Sequence, residues 1–189
     1  MRTISLLELN SCLWIIWAIY WLKAAFSTQK TQVSEGRFGS LYHRAPLIFG
    51  LVLIFRPSLI GIDAHIFDVG FVIKIFGIAI TAAGLSFAIW ARTHLGKYWS
   101  GIITLKEDHK LIRSGPYRIT RHPIYTGLFI GSLGSTMTAS SLESVTGWFA
   151  VLLGLFIKLK KEESMLSIQF GEDYARFKKE VSALIPWIL

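Results

Sequence analysis

Arg118, Arg121 and His122 crowd into the stretch Ser114 to Gly127, SGPYRITRHPIYTG, directly before apolar sequence that Pro123 can open as a helix. Guanidinium, imidazole and helix-start amides together suit an anion or a polar cofactor, because the first amides of a helix lack intrahelical partners and its dipole favours negative groups. Cations at a helix end are also ordinary membrane topology anchors. Anchoring accounts for the charge, but not for Tyr117 and Tyr125 in the same short window.

Two further elements carry chemistry. Glu162 and Glu163 are adjacent carboxylates just after an apolar run, a pairing that can seat an ammonium group close to a bilayer. Leu95 to Gly101, LGKYWSG, combines two aromatics with glycines, and serves either as an interfacial aromatic belt or as a wall for a flat or cationic ligand.

These groups need elements to position them, and the composition says where those elements reside. Of the 189 residues 52% are hydrophobic and only 17% charged, with a mean hydropathy of +0.49, which points to an integral membrane protein and a polytopic all-α bundle. Five transmembrane helices are expected. The first covers about Leu9 to Phe26, without the cleavage site of a removable signal. The second begins near Ala45-Pro46 and is interrupted at Arg56-Pro57. The third, Val69 to Trp90, is the strongest, at about the 20 residues a hydrocarbon core requires. The fourth starts at Pro123 and the fifth spans Val145 to Ile157, joined by a Ser/Thr-rich turn over Thr138 to Ser144 that predicts a helical hairpin. Leu166, Phe170, Tyr174, Phe177 and Val181 then recur at helical spacing, predicting a C-terminal amphipathic helix lying on the membrane or capping the bundle.

Lys and Arg gather in the loops after spans one, three and five, while Arg2 and Arg56 alone fall on the other side. The positive-inside rule then places the C-terminus and the working loops in the cytoplasm. The net charge of +8 is explained by a face apposed to anionic lipid and needs no nucleic acid. Cys12 is the sole cysteine, and the five histidines show no ligand spacing, so neither a disulfide nor a metal is expected. No strand-GxGxxG-helix unit exists for a Rossmann cofactor site. The chain reads as one membrane domain over 1–189, with spans one to three in 1–94 and the binding half in 95–189.

The pattern GPYRxxRHPxYxG, followed by a membrane hairpin, EExxLxxxFGxxYxxFKK and a late Ile-Pro, resembles the isoprenylcysteine carboxyl methyltransferase family and its phospholipid methyltransferase relatives. Gly115, Tyr117, Arg121, His122, Pro123, Tyr125, Gly127, Glu162, Glu163, Phe170, Gly171 and Tyr174 carry the resemblance, over about Leu95 to Pro186. It implies a multispan enzyme that moves a methyl group from S-adenosyl-L-methionine to a lipophilic acceptor entering from the bilayer. On this reading Tyr117, His122, Pro123, Tyr125, Gly127, Glu162 and Glu163 bind the cofactor, with Glu163, joined by Glu162, on its ammonium or ribose and His122 with neighbouring amides on its carboxylate. Arg121, Tyr125 and Tyr174 are the catalytic candidates, Arg121 orienting the acceptor carboxylate bidentately. Such a carboxylate is ionised near neutral pH and needs no general base. Gly127 and Gly131 also suit close helix packing, without any ligand contact.

The chain departs from the family at three places: Phe177 stands where a second tyrosine is expected, Glu180 where an arginine is, and Ser182 where a proline is. The charge reversal weakens the case for a prenylcysteine acceptor, so the methyl donor is better supported than the acceptor. A phospholipid or other small-acceptor methyltransferase is therefore an alternative, as are a nicotinamide-dependent membrane reductase of the sterol type and a non-catalytic membrane scaffold.

Overall fold

The computed structural model describes residues 5–26, 31–34, 37–56, 69–99, 104–106 and 111–186. Five α-helices dominate them: α1 (Leu6–Ala25), α2 (Arg37–Phe55), α3 (Phe71–Leu95), α4 (Pro123–Ala139) and α5 (Leu142–Glu180). Of these, α3 and α5 are long and apolar enough to cross a membrane. Large side chains such as Ile16, Leu22, Val72, Phe76, Phe149 and Leu153 face outward from the bundle, an arrangement that suits contact with lipid.

Local chemistry sets several boundaries. Ser5 and Glu8 form a capping box at the start of α1, and Ser141 with Ser144 forms another at the start of α5. Between them α4 ends at Ser140 in a left-handed conformation, so the expected hairpin closes over Ser140 and Ser141. Pro46, read in the sequence as near the start of a span, lies inside α2, which begins nine residues earlier at Arg37.

Small residues decide the packing. A Cβ on Gly84 would come within 2.6 Å of the Gly127 carbonyl, and one on Gly134 within 2.4 Å of the Gly77 carbonyl, so α3 and α4 run antiparallel with their backbones in contact. Gly50, Gly147 and Gly154 bring α2 and α5 together in the same way. Hydroxyls on these faces bond to carbonyls of their own helix or the next, as Thr81 does to Gly77 and Gly131. Asn10 and Glu143 are among the exceptions, buried with side-chain atoms that lack hydrogen-bond partners among the described residues.

Two findings differ from the sequence reading. A short antiparallel ribbon, β1 (Thr31–Ser34) with β2 (Thr104–Lys106), joins the loops after α1 and α3, pairing Val33 with Leu105, an addition that leaves the all-α class as expected. The fifth span also runs on without a break into the first part of the expected amphipathic segment: α5 is helical from Leu142 to Phe170, kinks at Gly171, where φ of 51° and ψ of −121° suit only glycine, and resumes as a second helical stretch ending at Glu180. That bend turns Tyr174, Phe177 and Lys178 back toward the start of α4.

Candidate active site

The site forms where α4 begins. Ser114 opens a tight turn over Gly115–Arg118, in which Gly115 adopts φ of 59° and lies so close to His94 that a Cβ would meet its ring at 2.7 Å. His94 also bonds the Ser114 hydroxyl at 2.9 Å and stacks on Tyr117 with ring centroids 6.4 Å apart. Tyr117 is thereby buried, and that burial, followed by the charge of Glu162, pushes its hydroxyl pKa upward. His122 then occupies the N-cap position of α4 and Pro123 its first turn. The His122 side chain does not cap the helix, and its ring turns toward α5.

Glu162 and Glu163 lie on α5, past the apolar stretch that ends at Ile157. Neighbours in sequence, they have different partners. Glu163 Oε1 accepts bonds from Arg121 Nε at 2.9 Å and Nη2 at 2.6 Å, His122 Nε2 stands 3.5 Å from the same oxygen, and Lys178 Nζ is 3.8 Å from Oε2. Burial pushes the Glu163 carboxyl up, yet His122 and Arg121 more than offset it and hold its pKa at about 2. Glu162 is more open, its side chain 35% exposed against 10% for Glu163. One Glu162 oxygen accepts the Tyr125 hydroxyl and lies 3.8 Å from His122 Nδ1, while the other has no partner among the described residues.

The Arg121 guanidinium makes four hydrogen bonds among the described residues. Besides the two to Glu163, Nη1 donates to the carbonyls of Lys178, at 3.1 Å, and Val181. The segment after α5 is thus strapped across the start of α4. Arg121 N donates to Ser182 O at 2.8 Å, His122 N to Ala183 O at 3.0 Å, and the Thr126 hydroxyl to Leu184 O at 2.7 Å. The amides of residues 121 and 122, expected to meet a ligand carboxylate, therefore hold this strap. Arg121, expected to grip an acceptor, has one of its five donors left.

The remaining expectations sort by position. Tyr125 stacks on His122 with parallel rings 5.4 Å apart, and Lys158 Nζ lies 5.4 Å from its centroid. Tyr174 is 1% exposed and its hydroxyl has no hydrogen-bond partner among the described residues; burial, then the charge of Glu163, pushes its pKa upward. Gly127 faces α3, where a Cβ would meet Gly84 O at 2.5 Å, so its geometry is that of helix packing. Trp99 is engaged by Arg92, whose guanidinium lies 4.4 Å from its centroid, and by Trp21 edge-on at 5.4 Å; Ser100 and Gly101 lie outside the described residues. Glu180, the charge reversal, pairs with Arg113, which also stands 5.1 Å over the Phe177 ring. The strap carbonyls, Thr126, Lys158 and Lys178 were not anticipated. The late Ile-Pro and the basic pair were the signals available, but neither says which side chain turns inward.

Helices with lipid-suited outer faces, carrying a buried cluster of carboxylates, cations and aromatics at one end, define a helical membrane protein with a polar site at the end of its bundle. Residues 76–168 match the model of the isoprenylcysteine carboxyl methyltransferase (ICMT) family. The protein-S-isoprenylcysteine O-methyltransferase of Schizosaccharomyces pombe is 35% identical over 101 residues, covering 52% of this chain and 43% of that protein. Form B of the same enzyme from Arabidopsis thaliana is 34% identical over 113 residues, with 58% and 51% covered. A probable enzyme of this name from Oryza sativa subsp. indica is 32% identical over 126 residues, with 64% and 61% covered. The chain thus spans about half the length of the curated relatives it matches. A solved structure of the eukaryotic intramembrane Ras methyltransferase ICMT shares the fold, with a TM-score of 0.54 and 21% identity over 82% of this chain and 55% of that one.

Proposed function

We propose that this protein is an S-adenosyl-L-methionine-dependent O-methyltransferase that esterifies the carboxylate of an isoprenylcysteine-type lipophilic acceptor at the membrane. The observation that carries the reading is Glu162: a half-open carboxylate with one uncommitted oxygen, beside the stacked pair of His122 and Tyr125. An ammonium needs such a group, and a sulfonium is attracted to the face of an electron-rich ring. Buried atoms without a hydrogen bond, His122 Nε2 and the Tyr174 hydroxyl, supply further polar positions for a ligand.

The chemistry of the donor set fits S-adenosyl-L-methionine. Glu162 would hold its ammonium, His122 with the last Arg121 donor its carboxylate, and Tyr117 and Tyr125 its less polar parts. When bound, the cofactor supplies an electrophilic methyl on sulfur. The chain's task is then proximity and orientation, because an ionised acceptor needs no proton removed. Glu163 positions Arg121, and Arg121 holds the strap that closes the site on the side facing Val181 to Leu184. Tyr174 lies among these groups as a neutral hydroxyl, suited to donate a hydrogen bond to an oxygen of the acceptor.

On this reading the chain makes five membrane crossings, of which α3 and α5 are long and apolar enough to span, with this end in the cytoplasm because Lys and Arg gather in its loops, and a hydrophobic acceptor tail entering laterally between helices. Arg113 neutralises the reversed charge of Glu180, so an amine acceptor such as a phospholipid gains no support from that substitution. Calorimetric titration of the purified chain with S-adenosyl-L-methionine, followed by transfer of labelled methyl to a small prenylcysteine mimic, tests the reading. Binding without transfer to that mimic removes the acceptor assignment. Stabilisation by NADPH alone selects a reductase, and binding of neither cofactor a scaffold.

A further inference from the structure

Lys158 is the first residue past the apolar stretch of α5, and the sequence reading gave it no part in the site. It is half-buried, with its ammonium 5.4 Å from the centroid of the Tyr125 ring. That ring is held on three sides: His122 stacks on it, Glu162 accepts its hydroxyl, and surrounding helices leave it 8% exposed. The electron-rich surface best suited to a sulfonium therefore already has a cation beside it. The other lysine of the cluster, Lys178, stands over Tyr174 instead, 5.9 Å from that centroid, and Arg121 is committed to Glu163 and the strap.

Building on the reading of this site as an S-adenosyl-L-methionine pocket with Tyr125 as its aromatic wall, we infer that Lys158 is the residue that discriminates the charged methyl donor from its neutral product. In the transfer, an electron pair on the acceptor oxygen forms the new O–C bond while the S–C bonding pair returns to sulfur. The sulfonium charge and the carboxylate charge vanish together. An ammonium beside the ring repels the sulfonium of the donor and leaves the thioether of the product untouched. That repulsion weakens the bound donor and is relieved as the methyl departs, so it acts on the step itself and not on binding alone. Two unit charges about 6 Å apart change an affinity by a factor of about three in the dielectric of water, and by about a hundred in that of a protein surface site.

The test is calorimetric titration of the full chain in lipid nanodiscs with S-adenosylmethionine and with S-adenosylhomocysteine, for wild type, Lys158→Met and Lys158→Arg. Lys158→Met raises the ratio of donor to product affinity at least about threefold, and Lys158→Arg, which keeps the charge, leaves that ratio at the wild-type value. Where methionine disturbs the fold, Lys158→Gln replaces it and carries the same expectation. A ratio unchanged in the uncharged variants overturns the inference, including the case in which both affinities move equally because Lys158 touches a part common to both ligands. Wild-type protein that binds neither ligand overturns the pocket reading itself, and the role of Lys158 with it.

Discussion

The two ends of α4 are both polar and both buried, yet they use that polarity in opposite ways. At the hairpin end the hydroxyls of Ser135, Thr136, Thr138 and Ser144 bond backbone carbonyls of their own or the facing helix, at 2.9, 3.0, 3.0 and 2.7 Å respectively. Short hydroxyls reach a carbonyl one turn back and satisfy themselves locally, so that end is closed to a ligand, the buried Glu143 carboxylate aside. At the other end the polar groups are long and charged, and they bond across elements far apart in sequence. Their geometry leaves Glu162, His122 Nε2 and the Tyr174 hydroxyl with capacity to spare. A polar region is a candidate site when its groups cannot all be satisfied by their own backbone.

The sharpest way to break this comparison is at Glu163. Glu163→Ala leaves Arg121 buried without its counter-charge and should lower stability by about 3–5 kcal/mol in thermal or denaturant unfolding. A change below about 1 kcal/mol would mean the charged end tolerates loss as the hairpin end does. The pH dependence follows from the same pair. With a folded pKa of about 2, below the ordinary carboxylate value, Glu163 contributes its full stabilisation above about pH 4.5, and that contribution disappears as pH falls toward 2. Glu163→Gln should flatten the acid limb of the stability curve over that window, and an unaltered limb would assign it to other carboxylates.

Gly127→Ala should cost about 1–3 kcal/mol by overpacking against α3, with little change in cofactor affinity per folded molecule. Affinity lost without stability would place Gly127 at the ligand. Glu162→Gln is expected to do the reverse, weakening S-adenosylmethionine about tenfold, or roughly 1.4 kcal/mol, with a near-native unfolding midpoint. Equal effects of the two substitutions at 162 and 163 on affinity and stability would erase the distinction between adjacent carboxylates. The smallest effect belongs to the hairpin, where Thr136→Val should cost about 1 kcal/mol of stability and leave cofactor binding at its wild-type value.

Much of the helical framework was legible because apolar runs, Pro123 and the Ser/Thr turn are local signals. The site was legible as a set of residue types, since Tyr117, Arg121, His122, Tyr125, Glu162, Glu163 and Tyr174 do converge. Their division of labour was not. The spacing of Glu162 and Glu163 gives no sign that one is saturated by Arg121 while the other stays open, because that depends on where α5 meets α4. The ribbon between the loops and the continuity of α5 through Phe170 were also missed, since three- and four-residue strands carry little periodicity and a single glycine does not announce the angle of a bend.

By itself the sequence determined the apolar helices, the Ser/Thr turn between the last two of them, and the supply of cations, carboxylates and aromatics around α4 and α5. Those depend on neighbours a few residues away, where 3.6-residue periodicity and side-chain-to-backbone bonds act. Only the tertiary structure decided that the amides of Arg121 and His122 hold a strap, that Glu163 serves Arg121, and that Lys158 shares the Tyr125 ring. Those pairings join residues some 30 to 60 positions apart, and they exist only because glycine contacts between α3 and α4 and between α2 and α5, with the bend at Gly171, set the distances between elements.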